Sequence, residues 1–167
     1  VGPYKISIHS GSDKFALYEI IGSLGTGAVH VKTAGTSYLE ALRTVGAADP
    51  GLFREIFDCA RANFPKDRMS YHVTAQDNRL RTTNAYSDEE LRALLDNDDA
   101  RQILHVTFGS VLTTSDAHGN LLFKNRIMQC LRSNEDVYYS FIVKHFRRHI
   151  DPLRGLCTQE FSREGVL

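Results

Sequence analysis

Apolar residues recur at every second position in three short stretches of the chain. In 4–9, Tyr4, Ile6 and Ile8 alternate with Lys5, Ser7 and His9; in 28–33, Val29 and Val31 alternate with His30 and Lys32. In 103–111, "ILHVTFGSV", Leu104, Val106 and Phe108 oppose His105, Thr107 and Gly109. A period of two predicts strands with one apolar and one polar face. Between these stretches the period lengthens. Leu17, Ile20, Ile21 and Leu24 fall at helical spacing, and Gly22, Gly25 and Gly27 close that helix and its loop. Ser37 with Glu40 has the capping-box pattern, so a helix starts near Thr36 and carries Tyr38, Leu42 and Val45. Asp49-Pro50 starts the next as N-cap and first-turn proline. Its stripe is Leu52, Phe53, Ile56, Phe57 and Ala60, and Pro65 is expected just beyond its end. Residues 69–75 read as a short strand or a loop, and 77–86 as a polar loop. Ser87 with Glu90 caps a helix bearing Leu91, Leu94 and Leu95, which the acidic run 96–99 ends. Two helices follow, over about 120–132 and 134–150.

Strands alternating with helices predict parallel strands covered by helices. A doubly wound sheet is covered on both faces, so its strands read apolar throughout. These strands have a polar face as well. A barrel accommodates that pattern, because one strand face meets the helices while the other lines an interior with a polar, catalytic mouth. The expected fold class is therefore α/β, with three consecutive βα units of a (β/α)8, TIM-type barrel forming a single domain over 1–167. Three units cannot close a barrel. The chain also has no initiator Met and reaches a strand within a few residues, so it is expected to be the C-terminal portion of a longer protein.

Composition narrows the function classes. The 167 residues are 42% hydrophobic and 24% charged, and 20 basic residues offset 20 acidic ones. No basic excess points to nucleic acid or an anionic membrane. No apolar run approaches the roughly 20 residues that span a bilayer, and the first residues lack a signal-peptide pattern. Cys59, Cys130 and Cys157 are far apart and form no CxxC pair. A disulfide framework is not expected, and a reducing cytoplasm is.

The candidate chemistry sits on the polar strand faces and in the turns after them. His9, His30 and His105 would project into a barrel interior, where imidazole serves as a metal ligand or a base. His9 is the strongest candidate, since it ends its strand, and His105 the weakest. The turn Ser10, Gly11, Ser12, Asp13 and Lys14 offers backbone N–H groups, a helix N-terminus and a positive charge to an anion. The same residues also serve as a helix cap. Lys32, Thr33, Ala34, Gly35 and Thr36 form a second such turn, and Lys32 shares a face with His30. An inward lysine needs an anionic partner or solvent. Schiff-base chemistry at Lys32 is a minor alternative. His72 is a candidate loop residue near the barrel mouth. His145 and His149, in "HFRRH", have zinc-like i, i+4 spacing, but Lys144, Arg147 and Arg148 would repel a cation. A solvated or subunit-facing helix surface is expected there instead. "GSLGTG" lacks the strand-first geometry of a dinucleotide fingerprint, so nicotinamide chemistry is not expected.

The stretches "GPYKISIHSGSDKF", "VHVKTAGTSYLEALR", "SYHVTA" and "ILHVTFGSVLT" resemble the C-terminal part of the tagaturonate epimerase family. The resemblance runs from Gly2 to about Pro152. It implies a TIM-type barrel, a divalent metal ion and the interconversion of D-tagaturonate and D-fructuronate in hexuronate catabolism. It also implies His9 and His30 as metal ligands, with Lys14 and Lys32 contacting substrate. Ser10, Ser12, Asp13, Thr33, Gly35 and Thr36 complete the expected substrate-binding set, and Lys32 and His105 the catalytic one. The expected partner is a small sugar acid, with homo-oligomers allowed. A reading of a different class is a non-catalytic sugar-binding or interaction module that needs an N-terminal portion outside this chain.

Overall fold

The computed structural model describes residues 6–10, 15–24, 29–33 and 37–156. The chain forms two compact units, one of Val1–Thr36 with Ile142–Leu167 and one of Ser37–Phe141.

The first unit holds β1 (Ile6–Ser10), α1 (Phe15–Leu24) and β2 (Val29–Thr33). Both strands lie within a residue or two of their sequence expectation, and they pair in parallel as expected. The register sets Ser7 against His30, Ile8 against Val31, and His9 against Lys32. Burial follows the alternation. Ile8 is buried and Val29 and Val31 half-buried, while Ser7, His30 and Lys32 are exposed. On α1 the fully buried side chain is Tyr18, which packs with Phe15. Leu17 and Ile20, the apolar positions that the spacing picks out, stand 37% and 57% exposed. Gly22 meets the 3-10 turn Asp151–Leu156: a Cβ there would lie 1.8 Å from the Pro152 carbonyl oxygen.

The second unit is helical. It contains α2 (Ser37–Ala48), α3 (Pro50–Asp67), α4 (Asp88–Ala93), α5 (Asp98–Val106), α6 (Phe108–Thr113) and α7 (Lys124–Ser133), and it takes in the start of α8 (Glu135–Ile150). Its caps are the ones that the sequence encodes. Asp49 Oδ1 accepts from Leu52 N at 2.9 Å, and Pro50 follows at the first helical position. Ser87 and Glu90 close a reciprocal capping box, with bonds of 3.2 and 2.8 Å. α3 runs two residues past Pro65, which was expected beyond its end. Pro65 has no N–H for the Arg61 carbonyl, so one bond of the last turns is missing while the helix continues to Asp67. Residues 69–75 form a 3-10 turn and a loop rather than a strand. Phe53, Ile56, Phe57, Leu91, Ile103 and Leu104 are fully buried in one apolar cluster, with the Phe53 and Phe57 rings stacked at 6.4 Å.

The third expected strand, 103–111, is helix: the end of α5, Thr107, and most of α6. Three features override the alternation. Asn97 caps α5 by accepting from Ala100 N at 3.0 Å, so the acidic run starts a helix besides ending one. Asp98 and Asp99 then sit in its first turn, where the helix dipole favours negative charge. Finally, the buried positions are Ala100, Ile103, Leu104, Val106, Thr107 and Val111, at helical spacings of three and four, whereas Phe108 is 45% exposed. His105 is therefore a half-buried residue of α5, and the argument that aimed it into a barrel with His9 and His30 does not hold.

Candidate functional site

The parallel register gathers the candidates that the described residues include. His30 is the partner of Ser7, and its Nδ1 lies 3.2 Å from Ser7 Oγ. Lys32, two residues on, is the partner of His9 and is exposed. Alternation places Ser7, His30 and Lys32 on one open face. Their two strands run in the same direction and end together at the Ser10–Thr33 pair. The described backbone includes His9, Ser10 and Thr33, while their side chains lie outside the description. Ser12, Asp13, Lys14, Gly35 and Thr36 lie outside the described residues altogether.

Among the described residues no three His, Cys, Asp or Glu side chains gather as a metal site. His30 by itself has suitable chemistry. If Nδ1 carries the proton that bonds Ser7 Oγ, Nε2 keeps its lone pair for a ligand.

The other histidines are elsewhere. His72 is exposed in the loop after α3. His145 and His149 are 5% and 3% exposed, contrary to the expectation of a solvated helix face. They form the inner stripe of the C-terminal half of α8. Phe15 packs edge-on against both rings, at 6.2 and 5.0 Å, and Tyr18 lies 5.4 Å from His149. Arg147 and Arg148 are exposed, yet the Arg148 guanidinium lies 3.6 Å over the Phe15 ring that also meets both histidines. Both histidines of "HFRRH" are thus buried against aromatic rings while its arginines keep exposed surface. The spacing alone does not reveal which face is which.

The sequence reading passed over one hollow in the helical unit. An open cavity of about 590 Å³ is lined by Thr74, Gln76, Arg79, Asp96, Asn97, Asp98, Asp99 and Gln102. The acidic run 96–99 was its signal. Two of its polar side chains are bound within the unit, with Asp99 Oδ1 accepting from Gln76 N and Gln102 Oε1 from Thr74 N, both at 2.9 Å.

Comparison with known proteins bears on the sheet. A family model described as tagaturonate epimerase matches residues 2–153. The chain belongs to the tagaturonate epimerase family. It is 43% identical over 152 residues to the tagaturonate/fructuronate epimerase of Thermotoga maritima, covering 91% of this chain and 30% of that protein. A glycerol-complexed crystal structure of fructuronate-tagaturonate epimerase from Cohnella laeviribosi superimposes with a TM-score of 0.85 at 40% identity. The match covers 90% of this chain and 31% of that one. The native crystal structure of the same enzyme gives a TM-score of 0.84. The chain thus spans about 30% of the length of these relatives. The architecture shared with the family is a mostly helical α/β arrangement with a small parallel sheet. No helix among the described residues is long and apolar enough to cross a membrane.

Proposed function

We propose that this chain supplies the sugar-acid end of an epimerase that interconverts D-tagaturonate and D-fructuronate. The β1–β2 pair is proposed as part of the wall of a TIM-type barrel. The observation that carries the reading is the parallel register, which puts His30 and Lys32 on the open face of a sheet in a chain 43% identical to such an epimerase.

Numbered from the hydroxymethyl end, the two uronates have their ketone at C2 and differ at C4. The C4 hydrogen is not alpha to the ketone, so enolisation cannot invert that centre. Retro-aldol cleavage can. A base takes the C4 hydroxyl proton, the C3–C4 bond breaks, and its electron pair passes toward the C2 oxygen. The aldehyde fragment turns over, the bond re-forms on its other face, and the new C4 oxyanion takes a proton. A divalent cation held by His9 and His30, with further ligands from outside the described residues, would polarise the ketone. Lys32 would place a positive donor where oxyanion charge develops. Lys14, with the N–H groups of the turn Ser10–Asp13, would hold the substrate carboxylate. Thr33, Gly35 and Thr36 would line the second turn. No role is proposed for His105, because the strand phase that aimed it inward gives way to helix α5. The widely separated cysteines and the sugar-acid chemistry favour a cytoplasmic setting.

Kinetics on a chimera test this assignment. This chain would replace the matching segment of the Thermotoga maritima relative, and variants would be assayed with the uronate and with the uncharged ketohexose. Losing a charge-assisted contact costs about 1.5–3 kcal/mol, or roughly tenfold to over a hundredfold. Lys14→Met is expected to raise KM for the uronate only, and Lys32→Met to lower kcat for both substrates. Unchanged constants in Lys14→Met would reduce the first turn to a helix cap. A chimera that binds uronate without epimerising it would favour the sugar-binding module.

A further inference from the structure

We propose that Ser7 is a positioning residue for His30. Its hydroxyl accepts the Nδ1–H of the imidazole, so that Nε2 keeps a lone pair over the open face of the sheet. The proposal rests on the reading of His30 as a metal ligand given above, and adds the residue that fixes which nitrogen ligates.

Strand register explains why the hydroxyl meets that nitrogen. Ser7 and His30 are direct partners in the parallel ladder, and both side chains are exposed on the same face. Nδ1 is the ring nitrogen nearer the backbone, and a serine hydroxyl stands close to its own backbone. A hydroxyl on the neighbouring strand therefore reaches Nδ1, here at 3.2 Å, and leaves Nε2 to project outward. Flipping the ring would turn Nδ1 away and lose the contact. Among the described residues Ser7 is the hydrogen-bond partner that His30 has. Ser7 stands outside the site residues expected from the sequence; pairing brings it to a histidine 23 residues away.

The proton has two possible places in this pair, and they give His30 different chemistry. Where the hydroxyl donates, Nε2 is protonated and the ring presents an N–H donor to the open face. Where the hydroxyl accepts, Nδ1 holds the proton and Nε2 presents a lone pair. The second arrangement alone lets the outward nitrogen bind a cation. Histidines that hold a metal donate their other N–H to a carboxylate, a carbonyl or water, which fixes ring and tautomer. Ser7 takes that place here, and its own hydroxyl proton goes to solvent, since the residue is exposed. No step of the epimerisation is assigned to Ser7, which acts through His30.

Histidine-selective 15N labelling of this chain, free of metal, reads the tautomer from the ring-nitrogen shifts. It is recorded at about pH 8, where an ordinary imidazole is neutral. The spectrum of His30→Ala assigns the signals. His30 should show a protonated Nδ1 and a bare Nε2 in the parent chain and in Ser7→Thr, which keeps the hydroxyl. In Ser7→Ala that preference should be lost, while the exposed loop residue His72 is unchanged throughout. Co2+ titrated into the chimera gives a second readout. Ser7→Ala should weaken binding by about ten- to a hundredfold. Ser7→Thr should restore most of that affinity, and excess Co2+ should recover the turnover of Ser7→Ala. A protonated Nε2 on His30 in the parent chain would overturn the proposal. So would a tautomer indifferent to Ser7→Ala, or turnover in that variant that excess Co2+ fails to recover. Unchanged Co2+ affinity in His30→Ala would instead remove the metal-ligand reading, and the nitrogen shifts would still decide what Ser7 does to the ring.

Discussion

Phe53, Ile56 and Phe57 of α3 have no exposed surface, and α3, α4 and α5 of the same unit are capped by Asp49, Ser87 and Asn97. The sheet unit buries Tyr18 as fully, and both units leave apolar side chains part-exposed, among them Leu17, Ile20, Val143, Phe146 and Ile150 in the sheet unit and Met69, Phe108, Met128 and Tyr139 in the helical one. The arginines differ more clearly. Arg54 binds the Thr83 and Tyr86 carbonyls and Asp88, and Arg61 clamps Asp77, so loops of the helical unit are tied to α3. In the sheet unit Arg148 lies over Phe15, and Arg154 pairs with Asp151 three residues before it at 3.1 Å. Apolar area removed from water stabilises at about 25 cal/mol per Å², and the buried apolar cluster lies in the helical unit, which is therefore the better equipped to hold its own fold. The sheet unit carries His30 and Lys32, the described residues proposed for sugar-acid chemistry.

The largest stability effect should come from the scaffold. Phe53→Ala removes a ring from a fully packed cluster and is expected to cost about 3–5 kcal/mol in urea unfolding. A loss below about 1 kcal/mol would mean that the helical core is not close-packed. Gly22→Ala should act on the sheet unit alone, because its new Cβ meets the backbone of Pro152 rather than a flexible side chain. Overpacking of that kind costs about 1–3 kcal/mol. Amide exchange should accelerate in α1 and stay unchanged in α3, and an equal acceleration in both would erase the division into units.

Two smaller effects sharpen the picture of the scaffold. The Tyr38 hydroxyl is buried without a hydrogen-bond partner among the described residues, and burial holds its pKa well above that of an ordinary phenol, with Cys59 adding to the effect. A raised pKa stabilises the fold fully below the unfolded value of about 10, and that contribution is lost as pH rises above it. Tyr38→Phe should be neutral or stabilising by up to about 1 kcal/mol at neutral pH, and it should flatten the alkaline decline. An unchanged alkaline decline in Tyr38→Phe would assign it to other groups. Smaller still is the bidentate pair of Arg126 with Glu55, at 2.6 and 2.8 Å, which lowers the Glu55 pKa. A depressed carboxyl stabilises above the unfolded value of about 4.3 and loses that contribution as pH falls through the folded one. Both partners are about half exposed, so a double-mutant cycle at neutral pH should return about 0.2–1 kcal/mol. A coupling near zero would make the pair incidental.

Several elements were legible in the chain, though the expected single domain over 1–167 did not anticipate the division into two units. Alternation gave β1, β2 and their polar face, because a strand buried on one side must alternate. Asp49-Pro50 and the Ser87–Glu90 box gave helix starts, because those side chains satisfy N–H groups that the helix leaves open. The segment 103–111 failed for an equally physical reason. Its Leu, Val and Phe satisfy period two over a few residues, whereas Asn97, Asp98 and Asp99, which decide for helix, lie outside that window. The facing of "HFRRH" was hidden as well. Burial of His145 and His149 depends on Phe15 and Tyr18, some 130 residues away in sequence.

The most direct test of the contrast between chemistry and scaffold is the epimerisation rate of the chimera with His30→Ala beside His72→Ala. Both histidines are exposed, one on the open face of the sheet and one in a loop of the helical unit. The account predicts that His30→Ala abolishes turnover and lowers divalent-metal affinity, while His72→Ala keeps near-normal turnover. Near-normal turnover and full metal occupancy in His30→Ala would contradict it.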